Sequence, residues 1–224
     1  MTRLLVLVEG QSEEVFVKRI LTPHLQKYGV YVQSPKILWT KRLASGGGYR
    51  GGATSWSQIR RDLCALSQDA NAWITTIIDF YGLPNDTPGM LNQQRESNAQ
   101  YRVLAVQMQL ASEIHHQRFI PFLALHEFEA WIFADPQVVE NHFARPQLAD
   151  QMREIVQKTG GAEMINHGPT THPKARLKQL IRSYKETADG PTILEKIGLE
   201  TVRASCPHFD HWLKKLESLG SGIE

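Results

Sequence analysis

The sequence predicts an α/β protein: a mostly parallel sheet flanked by helices over residues 1–135, then a helical extension over 136–224 packed on the same domain. Three observations predict it. Short apolar runs recur as RLLVLV at 3–8, AWITTIID at 72–79 and RFIPFLAL at 118–125, and each ends on, or within two residues of, a carboxylate. These runs are continuous rather than alternating, the mark of strands buried on both faces in a parallel sheet. Stretches of helical period separate them, and strand signals stop beyond Asp135.

Taken in order, 3–8 is a buried strand closed by Glu9 and Gly10. GQSEEVFVKRILTPHLQKYG reads as a helix, with Ser12 as its N-cap and Glu13 and Glu14 in the first turn, where the helix dipole favours them. Val15, Phe16, Ile20 and Leu21 form its apolar stripe, and Pro23 bends or ends it before Gly29. VYVQ and KILWTKRL are strand-like, and SGGGYRGGATSW is a loop on composition. A helix is expected over 54–70, a strand over 72–79, a turn-rich loop in FYGLPNDTPGM and a helix over 96–116. RFIPFLALHEFEAW runs from strand into short helix, and Phe128, Trp131, Ile132 and Phe133 are apolar enough to pack the helical cap onto the sheet. Segments 136–145, 147–159, 173–187 and 191–219 read as helices or turns.

The 224 residues allow one large domain, and 42% hydrophobic with 21% charged residues is ordinary for a soluble globular protein. A net charge of +2 and a pI of about 8.5 do not mark a constitutive nucleic-acid binder, although an acidic metal site would subtract charge locally. Cys64 and Cys206 are read as reduced thiols. The apolar run before Glu9 is too short for a signal peptide or a membrane span, so a cytoplasmic protein is expected.

Acids stand at the C-terminal ends of three strands: Glu9, Asp79, and Glu127 or Glu129. In a parallel sheet these ends share one rim, so residues far apart in sequence converge there. Carboxylates gathered in this way repel unless a cation neutralises them, and hard divalent ions prefer oxygen ligands. Glu13, one turn beyond Glu9, is a further ligand candidate. The competing reading of each acid is a helix cap or an ion-pair partner. Arg50 in the glycine loop, with Arg60 and Arg61 on the next helix, would let a phosphate backbone approach; the plainer reading is a surface loop. Trp39, Tyr49 and Trp56 near that loop stack bases in the first case and pack the core in the second. No Walker A or GxSxG motif is present, and no GxGxxG fingerprint stands in a strand-to-helix context. Cys206, His208 and His211 offer a zinc ion at most three ligands, and His208 between Pro207 and Phe209 reads as structural.

LLVLVEGQSEEVF resembles the first strand and helix of a Toprim domain, and TTIIDFYGLP resembles the strand bearing that family's acidic pair. With LHEFEAWIFADP, the GP…PKARL stretch and CPHFDHWL, the ordered set closely resembles the DUF4276 family, a Toprim-like group related to the nuclease domains of OLD-type proteins. The resemblance implies that Glu9 ligates metal or acts as general acid/base, that Glu13 is the second acid of the OLD-like motif, and that Asp79 opens the acidic pair. The second position of that pair is Tyr81, which puts a second ion in doubt; Glu127 and Glu129 lie where a compensating acid would come from. Lys174 and Arg176 match the family's basic stretch, Lys174 as a stabiliser of transferring phosphoryl charge or as part of a solvated helix face. The implied function is a Mg²⁺- or Mn²⁺-dependent nuclease acting on nucleic acid, with DNA expected ahead of RNA, paired with a separate ATPase subunit in a prokaryotic defence system against phage or plasmids. The alternative is a non-catalytic binding or regulatory subunit of an ATPase complex.

Overall fold

The computed structural model describes residues 2–42, 48–50, 53–91, 98–165, 168 and 170–220; for 39–42 and 48–50 it describes the main chain alone. The central strands are β1 (Thr2–Val8) and β6 (Trp73–Asp79), paired in parallel from Leu4↔Trp73 to Val8↔Ile77. Outside β1 lie β2 (Val30–Val32) and β3 (Lys36–Ile37), and outside β6 lie β7 (Phe119–Ile120) and β8 (Leu123–Ala124), every pair parallel. The antiparallel hairpin of β4 (Trp39–Arg42) and β5 (Gly48–Arg50) stands apart. The chain builds outward from β1 to β2 and β3, then returns to the other side of β1 for β6. The strand order therefore reverses between β1 and β6, and that is where a parallel α/β sheet opens a crevice at its C-terminal rim.

The β1 side chains divide two cores. Leu4, Val6 and Val8 face the helices α1 (Gln11–Phe16) and α2 (Thr22–Gln26), while Leu5 and Leu7 face α3 (Trp56–Leu66) and α4 (Ala99–Ile114). A π-helical segment, Val17–Leu21, joins α1 to α2. Pro23 has no N–H to give and sits in the first turn of α2, so the widened turn ahead of it lets the chain remain helical; the Thr22 hydroxyl donates to the Val17 carbonyl at 2.8 Å. The expected bend at Pro23 is thus a π turn. The expected Ser12 cap is replaced by Gly10, whose N–H donates to Glu13 Oε2 at 2.9 Å.

Beyond β8, the 3-10 segment Phe128–Ala134 leads into α5 (Pro136–Phe143), α6 (Leu148–Thr159), α7 (Pro173–Leu180), α8 (Glu186–Ile197), α9 (Leu199–Ser205) and α10 (Pro207–Ser218). These helices share one continuous core with the α1 face of the sheet. Phe128, Trp131, Ile132 and Phe133 are fully buried at its centre, as their apolarity demands, and Trp131 packs on Phe16, Phe122 and Phe209. Truncating a residue so placed costs about 3–5 kcal/mol. Trp212 of α10 stacks on Phe122 at 4.3 Å and donates to the Thr75 hydroxyl in β6 at 2.9 Å, which ties the last helix to the central strand. His208 is structural, its Nε2 bonded to the Leu123 carbonyl at 2.9 Å and its ring stacked on Phe122. The stretch 173–187 is two helices, broken where Ile181 takes an extended conformation. Among the described residues no helix is long and apolar enough to cross a membrane.

Candidate functional site

Parallel pairing sets the ends of β1, β6 and β8 side by side. Glu9 N–H donates to the Ile77 carbonyl, Phe80 N–H to Ala124, and Tyr81 N–H to His126. Glu9 and Asp79 are in direct contact, because the Asp79 N–H donates to Glu9 Oε2 at 2.9 Å. Asp79 Oδ1 in turn accepts the Phe128 N–H at 2.8 Å, which anchors the start of the 3-10 segment. Glu13 is held by the Gly10 N–H. In each of these three carboxylates a main-chain N–H fixes an oxygen.

The two glycines at this junction are small for a reason. A Cβ on Gly82 would stand 3.2 Å from Glu9 Oε1, and one on Gly10 would stand 3.3 Å from Glu13 Oε2. A side chain at either position would press on these carboxylates and shift them by a few tenths of an ångström.

Glu9, Glu13, Asp79, Glu129, Lys174 and Glu186 line one cleft of about 340 Å³. Glu13, Asp79 and Glu129 are buried at 7%, 8% and 2% exposure, and Glu9 is half-buried. Burial, reinforced by the charges of neighbouring acids, pushes their protonation upward. Glu13 rises to about 7, through desolvation and then the Glu9 charge, against the bonds from main-chain N–H groups. Glu129 rises to about 8, through desolvation and the charges of Glu127 and Glu13, with Lys174 opposing. Asp79 is held well above the ordinary carboxylate range by desolvation and then by Glu9 and Glu13. Glu9 is raised by desolvation, against the Asp79 N–H and Lys174. For Lys174 burial works against the ammonium, but Glu129, Asp79 and Glu186 outweigh it and hold the lysine charged. Its Nζ lies 3.4 Å from Glu186 and 3.8 Å from Glu129.

Glu127 has a different role from its neighbour Glu129. Its Oε2 takes His172 Nδ1 at 2.8 Å and the Lys174 N–H at 3.0 Å, so it fastens the first turn of α7 and sets Lys174 over the cleft. Tyr81, in the second acid's position, stacks on His172 with centroids 5.5 Å apart. His126 is buried beside these acids.

The expected nucleic-acid residues are dispersed. Arg60 and Arg61 are exposed on α3 and do not line the cleft; Arg61 Nε lies 3.4 Å from Asp62. Arg176 donates to the Thr171 carbonyl at 2.6 Å within the α7 entry. The Arg50 side chain, like those of Trp39 and Tyr49, lies outside the described residues, and Trp56 packs against the α3–α4 core. Sequence reasoning missed His172, Glu186 and Tyr184. His172 had a signal, since a residue before proline at a helix start is an N-cap position. Glu186 opens α8 and is gripped by Lys178 and Lys174. The Tyr184 hydroxyl is buried with no hydrogen-bond partner among the described residues, and a Cβ on Gly190 would come within 3.0 Å of it.

Among the described residues no three acidic, histidine or cysteine side chains are close enough to cage a metal ion by themselves. The donor set still suits a hard cation. Mg²⁺ is usually held by one or two carboxylates, with waters and substrate phosphates completing its shell.

Fold and site together define a parallel α/β protein with an acidic cleft at the switch point of its sheet. The chain belongs to the family described as "Domain of unknown function (DUF4276)", which matches residues 8–217. No curated protein matches it. Among solved structures, the C-terminal region of the Xanthomonas campestris pv. campestris OLD protein is 15% identical with a TM-score of 0.47, covering 99% of this chain and 97% of that one. The C-terminal region of the Burkholderia pseudomallei OLD protein is 14% identical with a TM-score of 0.48, covering 98% and 99%.

Proposed function

We propose that this protein is a divalent-cation-dependent nuclease whose centre is the acidic cleft. One observation carries the reading: carboxylates from β1, α1, β6 and the segment after β8 are buried together around one lysine. Among the described residues lining the cleft, Lys174 is the one cation facing Glu9, Glu13, Asp79 and Glu129, whose proton affinities are raised first by burial and then by neighbouring carboxylates. A structural ion-pair network would balance its charges; this one is arranged to accept a further cation.

One or two of the carboxylates of Glu9, Glu13, Asp79 and Glu129 would hold Mg²⁺ or Mn²⁺, with water and substrate completing its shell, and the ion would supply Lewis-acid stabilisation of phosphoryl charge and lower the pKa of a water. The protein's own part is to position. Main-chain N–H groups from Asp79, Gly10 and Phe128 fix the carboxylates, and the Glu127–His172 contact fixes α7 so that Lys174 Nζ reaches the developing charge on the phosphoryl oxygens. Nucleic acid, with DNA ahead of RNA, is the substrate class, and a separately encoded ATPase in a defence system is the natural setting; both follow from the resemblance to OLD-type nucleases. A cytoplasmic location belongs to the same proposal.

The test is cleavage of plasmid, single-stranded DNA and RNA with Mg²⁺, Mn²⁺ or EDTA, alone and with any ATPase found encoded beside the gene. Metal-dependent cleavage that Glu9→Gln abolishes, in a variant that still folds, supports the reading. Cleavage of none of these, with or without the ATPase, refutes it in favour of a binding subunit. Tyr81 in place of an acid is the observation that favours that second reading.

A further inference from the structure

A second cleft, of about 500 Å³, lies on the helical cap and is lined by Phe143, Arg145, Gln179, Ile181, Arg182 and Ser183. Arg145 and Arg182 are exposed, and neither forms an ion pair among the described residues, whereas Arg153, Lys158 and Lys178 on the neighbouring helices are all paired. Two guanidinium groups facing one concavity with no carboxylate between them repel each other until an anion enters. An amide and a hydroxyl beside them add neutral hydrogen-bonding capacity.

The position of this cleft gives it meaning. Helix α7 carries Lys174 into the acidic cleft and Gln179 into the basic one. Five residues of helix separate them by about 7.5 Å along the axis, close enough for one nucleic-acid strand to reach both. The turn after α7 then brings Arg182 and Ser183 to the basic side and Glu186 back to the acidic side. An acidic cleft repels a polyanion, so a strand held there needs an anchor next to it.

We infer that Arg145 and Arg182 form a phosphate-binding subsite that holds the single-stranded nucleic-acid backbone flanking the bond at the acidic cleft. The inference rests on the nuclease reading and deepens it by placing the strand's path over the cap rather than over Arg60 and Arg61. Guanidinium groups suit the task because their planar donors pair with phosphate oxygens two at a time.

The experiment measures binding of a fluorescein-labelled single-stranded DNA, and of RNA of the same sequence, by anisotropy in EDTA across a salt series. The wild type is compared with Arg145→Ala/Arg182→Ala and with Arg153→Ala/Lys158→Ala, which removes the same charge from α6. Loss of two phosphate contacts lowers the slope of log K against log salt by about 1.4 for single strands, and affinity at low salt falls about tenfold or more. The α6 control keeps the wild-type slope. A slope unchanged in Arg145→Ala/Arg182→Ala, or lowered equally in the control, overturns the inference. Binding needs no cleavage, so the two proposals fail separately: an unchanged slope in an active nuclease sinks the subsite alone, and a lowered slope in a chain that never cuts sinks the nuclease alone. A wild type that binds neither strand sinks the subsite whatever it cleaves.

Discussion

Replacing Glu13 with glutamine should stabilise the protein above neutral pH and do little in mild acid. Burial, aided by Glu9, raises this carboxyl from 4.5 to about 7 in the fold. An acid raised on folding makes the folded state bind more protons than the unfolded chain between those two values. Stability therefore falls as pH climbs through that window and levels off above it. The span, 7 − 4.5 = 2.5 units, corresponds to about 3 kcal/mol at ~1.36 kcal/mol per unit, nearly all of it present at pH 8 and less than about 1 kcal/mol at pH 5. Glutamine keeps an oxygen for the Gly10 N–H and carries no charge, so it escapes this cost. At 2–4 °C per kcal/mol for a chain of this size, Glu13→Gln should melt about 6–12 °C above the wild type at pH 8 and within about 3 °C of it at pH 5. Mg²⁺ should raise the wild-type melting temperature at pH 8 and narrow the gap. Thermal scans at the two pH values, with and without the ion, decide it. A variant equally shifted at both pH values, or less stable at both, refutes the electrostatic argument.

Asp79→Asn retains an acceptor for the Phe128 N–H and should keep the fold while lowering cleavage by about 10³-fold, of the order of removing a positioned charge from an active centre; circular dichroism with a plasmid-nicking assay checks both halves. Lys174→Met removes the ammonium that faces the buried acids and should destabilise the protein by about 3–5 kcal/mol at pH 8 and by less at pH 5, where Glu129, raised to about 8, is protonated while Glu186 keeps its charge; urea titrations at the two pH values read the difference. Gly82→Ala places a methyl 3.2 Å from Glu9 Oε1 and should cut metal-dependent cleavage about tenfold or more with a loss of stability under about 1 kcal/mol, seen as a raised Mg²⁺ requirement in the rate.

The sheet rim was legible because a parallel strand buried on both faces must be a continuous apolar run, and the first polar residue after it marks the rim. Glu9 and Asp79 follow from that alone, and their contact through the Asp79 N–H is the expected convergence. Periodicity carries no such information about the cap. His172, Glu186 and Tyr184 sit at helix ends and in turns, where a side chain's direction depends on tertiary packing rather than on spacing. The Ser12 cap failed for a local reason: Glu13 bends back to the Gly10 N–H and does the capping, which leaves Ser12 buried in the first turn.

Glu127 and Glu129 show why residue type could not separate role from role. The two acids lie two apart in HEFEAW, and sequence reading offered either as a ligand. In the fold Glu127 spends its carboxylate on His172 and the α7 main chain, while Glu129 turns into the cleft opposite Lys174. The division follows from where the 3-10 segment starts: Glu127 is its extended N-cap, Glu129 lies in its first turn, and Asp79 anchors it at Phe128 between them. One acid therefore positions the lysine and the other opposes it. Exchanging the two roles would require moving α7, whose entry is held by the Glu127 contact and by the stack of Tyr81 on His172. Glu127→Gln should therefore weaken catalysis through Lys174 and leave the titration of Glu129 as the sensitive reporter. NMR of a glutamate-labelled protein that shows Glu129 unmoved in that variant would break the link between them.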